Sequence, residues 1–247
     1  MRRAKLLANL VRLRLFSGDE RTRADSGIQL LRRAARLLLP GYRITEYGKS
    51  WFADEDFFRR LREVEDTDWA SDRKFFLKEL LKLARDVEGD TAEAGVFEAA
   101  SSVFICQELA GSGKTHFAFD SFEGLSALTA ADGSYWRAGD LQAPEQLARS
   151  RLEPFGAVVE KGWMPDVFAA AENRRFCFVH VDVDLYEPTL DSLRFFYPRL
   201  NPGGMLVCDD YGFESCPGAR RAVDEFMAGR PEAVVHAPTG QCFLIKR

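Results

Sequence analysis

Histidine is scarce in this sequence, and its cysteines lack the spacing of a zinc site. The 247 residues include only three histidines, and the five cysteines form no C-x-x-C pair. Ser101, Ser121 and Ser192 have no neighbouring His and Asp in the pattern of a hydrolase triad. The composition therefore speaks against zinc and serine-hydrolase chemistry. His116 and His180 lie in apolar segments and are predicted to be core residues.

Long apolar segments are missing as well. No stretch reaches the roughly 18 apolar residues of a transmembrane helix. Arg12 and Arg14 interrupt the first apolar stretch and no A-x-A cleavage site follows, so we expect no secretory leader. Three of the cysteines lie inside apolar runs, where a free thiol behaves as a small hydrophobe. These features predict a reduced, cytoplasmic protein.

Charge is distributed unevenly along the chain. Residues 1–43 carry eleven Lys and Arg against three acids, whereas the whole chain has a net charge of −4. A nucleic-acid-binding protein more often carries positive charge on its folded domain, so we expect no nucleic-acid partner. A basic, amphipathic helix over residues 2–16 would lie on an anionic membrane, or would dock on the acidic body or in a dimer contact.

The apolar pattern predicts an α/β fold behind a helical N-terminal extension. Residues 1–70 are expected to form the extension, with helices over 4–16, 28–39 and 54–65, and residues 71–247 the main domain. From residue 91 onward, predicted strands and helices alternate, which favours a parallel sheet with right-handed crossovers. Only four residues separate the last two strands, so they should pair as an antiparallel hairpin. Seven strands in this arrangement describe the class I methyltransferase sheet, which is Rossmann-like.

Four carboxylates follow two of the predicted strands. Asp182 and Asp184 come after one apolar run, and Asp209 and Asp210 end the next. The carboxyl ends of parallel strands meet at one edge of the sheet, where such folds bind ligands. Gathered carboxylates repel one another unless a cation joins them. Asp182 and Asp184 would share one face if the strand continued that far. The pattern predicts a hard-metal site.

Other motifs point less directly to a ligand. Glu93 and Gly95, at the end of a strand before a run of small residues, could bring backbone N–H groups close to a ligand. Asp120, at the tip of the next strand, has the position of an acid that binds ribose hydroxyls. Trp163 follows the third strand and could pack on a purine or in the core. The segment 111–115 resembles a P-loop but runs from helix to strand, so we interpret it as a glycine turn.

Taken together, these motifs resemble the macrocin O-methyltransferase family of sugar O-methyltransferases. The resemblance begins near Arg73 and rests on segments in the family's order: 89–96, 119–125, 161–163, 182–189, 203–204, 209–212 and 217–226. It implies S-adenosylmethionine and Mg²⁺ as cofactors and makes a homo-oligomer plausible. It also implies Asp182, Asp209 and Asp210 as metal ligands and Asp184 as the general base. The implied cofactor pocket consists of Glu93, Gly95, Val96, Asp120, Ser121, Phe122, Gly162, Trp163 and Asp182.

The sequence departs from the family at one place. A basic residue and two glycines commonly follow Gly-Val-x, and Glu98, Ala99 and Ala100 stand there instead. Two added methyl groups and a reversed charge would lie near the methionine end of the cofactor. We therefore expect an O-methyltransferase acting on a sugar hydroxyl of a glycan or glycosylated natural product. The alternatives are a catechol-type small-molecule O-methyltransferase and a non-catalytic scaffold that keeps the fold.

Overall fold

The computed structural model describes residues 2–38, 50–64 and 71–247. They form two compact units, Met1–Asp56 and Phe57–Arg247. The larger unit begins earlier than the predicted boundary at residue 71, because Phe57 packs edge-on against Phe75 and lies 5.5 Å from the Phe104 ring. The ends of two predicted helices, residues 39 and 65, lie outside the described residues.

The smaller unit contains two helices, α1 (Arg2–Phe16) and α2 (Glu20–Leu38). The sequence predicts a polar loop over residues 17–27, and this prediction was wrong because α2 already begins at Glu20. Asp19 explains the early start: its carboxylate accepts a hydrogen bond from the Thr22 N–H at 2.9 Å, as an N-cap residue does. Among the described residues, no helix combines the length and apolar character that a membrane span requires.

The larger unit begins with α3 (Glu55–Val64), which starts just before the unit boundary, and α4 (Ser71–Ala84). The remaining helices are α5 (Ala100–Glu108), α6 (Glu145–Leu152), α7 (Tyr186–Phe196) and α8 (Pro217–Met227). The strands are β1 (Asp90–Ala94), β2 (His116–Asp120), β3 (Val158–Lys161), β4 (Phe176–Val181), β5 (Leu200–Cys208), β6 (Val235–His236) and β7 (Cys242–Ile245). Helix α7 begins at Tyr186, whose N–H donates a hydrogen bond to Asp132 at 2.6 Å.

The seven strands form one sheet in the order β3-β2-β1-β4-β5-β7-β6. Strands β1 to β5 are parallel, and β7 pairs antiparallel with β5 and β6, which confirms the predicted class I methyltransferase sheet with its terminal hairpin. Gly111 and Gly113 both have positive φ in the turn before β2, so the P-loop-like segment is a glycine turn.

Alternate residues of the strands serve opposite faces of the sheet. Val179 and Val181 of β4 belong to the larger apolar cluster, together with residues of α7 and α8. Phe178 belongs to the second cluster, with residues of α4 and α5. His180 has the same parity as Phe178, so it points to the face that α4 and α5 cover.

Candidate active site

A cavity of about 630 Å³ opens at the carboxyl edge of the sheet, within the larger unit. Strand order reverses between β1 and β4, which is where open α/β sheets bind ligands. The cavity is lined by residues that follow all five parallel strands, from Trp163 after β3 to Asp210 after β5. The fold therefore brings the predicted cofactor and metal residues to one edge.

Most of the predicted cofactor residues line this cavity. They are Glu93, Gly95, Val96, Asp120, Ser121, Gly162, Trp163 and Asp182. Trp163 is 44% exposed, so its ring is available to a ligand. Phe122 differs, because its side chain is buried at 4% exposure and does not form part of the lining.

Gly95 lies where the chain leaves β1 and approaches the backbone after β4. Its φ is +85°, and a Cβ built on it would lie 1.7 Å from the carbonyl oxygen of Asp182. The Asp182 N–H also donates to the Ala94 carbonyl at 2.9 Å. Only glycine fits this position, which the predicted cofactor loop and the predicted acid cluster share.

The departure at residues 98–100 has a local structural account. Ala99 precedes α5 with φ +69° and ψ 21°, a left-handed conformation that favours glycine. Ala99 is fully buried, whereas Glu98 and Ala100 line the cavity. Glu98 is paired with Arg151, which also donates to the Glu98 carbonyl at 2.7 Å. Of the two added methyl groups, only that of Ala100 therefore faces the cavity. The reversed charge at Glu98 has a cationic partner in Arg151.

Asp120 organises two loops from the tip of β2. Its Oδ2 accepts hydrogen bonds from the N–H groups of Val96 and Phe97 at 2.7 and 2.8 Å, and Oδ1 accepts one from Phe122 at 2.6 Å. The predicted ribose acid therefore also holds the glycine-containing loop in place.

The four aspartates lie in two groups of potential metal ligands. One group consists of His180, Asp182 and Asp209, and the other of Asp184, Asp210 and Cys216, with ligand atoms in each group within 4.8 Å of one another. Strand β4 ends at Val181, so the condition under which Asp182 and Asp184 would share a strand face is not met. Asp184 instead has φ +59°, and both residues line the cavity.

These carboxylates interact electrostatically. Burial, followed by the charge of Asp182, raises the pKa of Asp184 to about 7. Burial, followed by the charges of Asp184 and Asp182, raises the pKa of Asp210 well above its usual range. Like charges in a dry pocket hold their protons more tightly, and a bound cation would reverse this effect.

Asp209 has a different environment and does not line the cavity. Its Oδ1 accepts a hydrogen bond from Gln241 Nε2 at 2.7 Å and lies 3.2 Å from His180 Nε2. Its Oδ2 forms an ion pair with Arg73, whose guanidinium also lies 5.1 Å from the centre of the Phe213 ring. Asp209 is thus surrounded by donors, and Arg73 already supplies a positive charge beside the acids.

The remaining acids suit a divalent cation. Among the described residues, no hydrogen-bond donor contacts the carboxylate of Asp182 or the Oδ1 atom of Asp210. Carboxylate oxygens are the donors that Mg²⁺ prefers. The donor set fits the metal that the sequence predicts, and Asp209 differs from the other acids in its ion pair with Arg73.

Sequence reasoning missed several residues of the site. Arg73 lies in α4, and His180 connects Asp209 to Glu93 through hydrogen bonds. The thiol of Cys216 donates to Asp184 Oδ1 at 3.3 Å, and the indole of Trp136 donates to that thiol at 3.4 Å. A signal existed for His180 alone, because it precedes Asp182 by two residues in an otherwise apolar strand.

Comparisons with known proteins agree with this geometry. The model of the family described as macrocin O-methyltransferase (TylF) matches residues 76–239. Over 152 residues, 56% of this chain and 58% of the relative, the chain is 34% identical to a tetracenomycin rhamnosyl 4'-O-methyltransferase of Streptomyces olivaceus. It is 29% identical to mycinamicin III 3''-O-methyltransferase of Micromonospora griseorubida over 57% of this chain and 61% of that enzyme. These matches span about three fifths of the relatives' length.

Solved structures show the same fold. The O-methyltransferase NovP superposes with a TM-score of 0.62 at 22% identity, covering 70% of this chain and 79% of NovP. The calicheamicin methyltransferase CalS11 gives a TM-score of 0.59 at 16% identity, covering 99% and 92%. The family model covers well over half of the sequence, and the fold agrees with it. The chain belongs to the macrocin O-methyltransferase family.

Proposed function

We propose that this protein is an S-adenosylmethionine-dependent O-methyltransferase that acts on a sugar hydroxyl of a glycan or glycosylated natural product. The observation that carries the proposal is the acid cluster of Asp182, Asp184 and Asp210 in the wall of the cavity that the predicted cofactor residues also line. The name of the Streptomyces olivaceus relative describes O-methylation of a rhamnosyl-bearing tetracenomycin, which supports the same class of acceptor.

In this proposal the two sides of the cavity have different tasks. Gly95, Val96, Asp120 and Trp163 follow β1, β2 and β3 and would hold S-adenosylmethionine. Asp182 and Asp210, after β4 and β5, would hold Mg²⁺, with Asp209 as the third predicted ligand. When bound, the cofactor supplies the methyl group, and the metal lowers the pKa of a hydroxyl that contacts it.

Asp184 is the general base in this proposal. An acceptor hydroxyl loses its proton to the Asp184 carboxylate as its oxygen takes up the methyl group. Burial and the charge of Asp182 raise the pKa of Asp184 to about 7. A cation held by Asp182 and Asp210 would lower this pKa again, so that Asp184 would be ionised and able to accept the proton at neutral pH. The Cys216 thiol donates to one oxygen of Asp184 and leaves the other to accept the proton. Much of the rate would come from holding the hydroxyl beside this group.

Methyl transfer from labelled S-adenosylmethionine tests the proposal directly. The purified protein would be assayed with glycosylated macrolides, nucleotide sugars, free sugars and catechols, each with Mg²⁺ and with chelator. We expect methylation of a sugar acceptor that is lost in chelator. Transfer to catechols alone would establish the small-molecule alternative, and failure to bind S-adenosylmethionine would establish the scaffold alternative.

The proposal also includes a binding surface on the smaller unit. Leu7, Val11 and Leu15, four residues apart on α1, are 47%, 42% and 64% exposed. Basic residues accompany them along α1 and α2, which suits an anionic membrane or the acidic surface of a second copy of the chain. Binding to anionic but not neutral vesicles would establish membrane contact. A homo-oligomer that dissociates when Leu15 is replaced by glutamate would establish the second copy.

A further inference from the structure

A buried row of polar side chains crosses the sheet beneath the cavity. His180 on β4 is fully buried, and its two ring nitrogens face two acids from neighbouring strands. Nδ1 lies 2.6 Å from Glu93 Oε1, and Nε2 lies 3.2 Å from Asp209 Oδ1. The sheet produces this arrangement, because Glu93 pairs in register with His180 and the Asp209 N–H bonds to the Val181 carbonyl.

The two ends of the row belong to different parts of the site. Glu93 is in the lining of the cavity, two residues before Gly95. Asp209 precedes Asp210 and has the position of a metal ligand in the proposed function. His180 is thus the link between the predicted cofactor side and the predicted cation side, and it spans the switch point between β1 and β4.

The contacts restrict how this link can move. An imidazole with a partner at each nitrogen cannot turn or shift without weakening one of its hydrogen bonds. Its partners are themselves held, since Ser102 Oγ bonds to Glu93 and Gln241 Nε2 bonds to Asp209. If one carboxylate moves, either the other carboxylate must move with it or a buried hydrogen bond must break. Breaking a buried hydrogen bond is costly in free energy.

We propose that His180 is a positioning residue that couples the binding of S-adenosylmethionine to the binding of a divalent cation. The inference rests on the proposed function. Each ligand fixes one end of the Glu93–His180–Asp209 row and thereby orders the other end. Binding of the second ligand then costs less conformational entropy. Direct repulsion between the cofactor's sulfonium and the cation acts in the opposite direction. Positive cooperativity between the two ligands would therefore be evidence for coupling through the row.

Calorimetric titration of the full chain measures the coupling. We expect Mg²⁺ to tighten cofactor binding by about fivefold or more, and the cofactor to tighten Mg²⁺ binding by the same factor, because linkage is reciprocal. A cofactor Kd that is equal with and without Mg²⁺ overturns the inference and leaves the proposed function standing. A protein that binds no cofactor under either condition overturns both.

A pair of matched variants tests the role of His180. His116 is also a buried histidine of this row, but it bonds to Ser102 and Thr91 and does not contact Asp209. We expect His180→Gln to abolish the coupling while each ligand alone still binds within a few-fold of wild type. His116→Gln should retain the coupling. Loss of coupling in both variants, or in neither, contradicts the assignment.

Histidine NMR on the wild-type protein keeps the inference testable if His180→Gln does not fold. The chain has only three histidines, so few ring signals have to be assigned. The ring nitrogen signals of His180 should shift when Mg²⁺ alone is added and also when cofactor alone is added. A His180 signal that responds to one ligand only would show that the row does not connect the two sites.

Discussion

Gly95 lies against the main-chain carbonyl of Asp182, and a Cβ atom on Gly95 would stand 1.7 Å from that oxygen. This close contact joins the loop after β1, where the cofactor is predicted to bind, to the segment that carries the acid cluster. One glycine therefore determines the spacing between the two sides of the proposed site.

Gly95→Ala tests the importance of that spacing. We expect a loss of several kcal/mol in the free energy of unfolding and loss of cofactor binding, because backbone must shift to admit the methyl group. Gly111→Ala is a matched control, since Gly111 also has positive φ but a Cβ atom added to it would meet no atom within 4 Å. It should cost only about 1–2 kcal/mol of conformational strain. Chemical denaturation and calorimetry measure both effects, and equal losses in the two variants would contradict this account.

Glycine at position 99 and glycine at position 100 should change the free energy of unfolding in opposite directions. Ala99→Gly relieves a left-handed alanine at φ +69° and should raise the free energy of unfolding by up to about 1 kcal/mol. Ala100→Gly places glycine in the first turn of α5 and should lower it by about 0.5–1 kcal/mol. Thermal melts of both variants decide the point. Destabilisation by Ala99→Gly would show that the strain at this position is compensated.

Much of the fold could be predicted because its signals are local. Apolar runs such as Phe176–Val181 and the short connection before β7 determine the parallel sheet and its terminal hairpin. The start of α2 was missed because a single capping residue, Asp19, decides it within a charged segment that also suits a loop. Local periodicity contains no information on such a cap.

The sequence predicts which residues form the candidate site better than it predicts the contacts between them. Asp182 and Asp184 were identified, but the left-handed φ of Asp184 depends on tertiary contacts that a strand pattern does not show. Arg73 and Gln241 were missed because they reach Asp209 from separate elements more than 30 residues away. Such contacts follow from the packing of α4 on the sheet and from the pairing of β7 with β5, which brings Gln241 beside Asp209.

Asp210→Asn should remove metal-dependent turnover while leaving the cofactor Kd, measured without Mg²⁺, within a few-fold of wild type. The Oδ2 atom of Asp210 accepts hydrogen bonds from the Val183 and Asp184 N–H groups, which an amide oxygen can replace, so the backbone should keep its position. Asp191→Asn is the control, since Asp191 also lines the cavity but forms an ion pair with Arg194. Full activity of Asp210→Asn in chelator would overturn the metal assignment.

Magnesium should stabilise the protein more at about pH 8 than at about pH 5. The folded-state pKa of Asp184, about 7, is raised above its ordinary value of 3.8. Its contribution to stability is therefore present below about pH 4 and is lost as the pH rises through 7. A divalent cation binds the ionised carboxylates and offsets that loss. Melting temperatures with and without Mg²⁺ across this range measure the effect, and Asp184→Asn should reduce its dependence on pH.

Arg73→Gln should tighten divalent cation binding several-fold. The guanidinium of Arg73 forms an ion pair with Asp209 Oδ2, so arginine and cation compete for the same carboxylate. Glutamine removes the positive charge and keeps a hydrogen-bonding amide on a shorter side chain. Manganese titration followed by electron paramagnetic resonance gives the affinity without requiring an acceptor.

Arg60→Gln serves as the control for Arg73→Gln. Arg60 forms a similarly shielded ion pair, with Glu108 at 2.6 Å, but it does not line the cavity. Its loss should lower the melting temperature without changing manganese affinity. Weaker manganese binding by Arg73→Gln would show instead that Arg73 orients Asp209 for the metal, as hydrogen-bond donors behind ligating carboxylates do. The sign of this one change thus decides whether Arg73 opposes the cation or supports it.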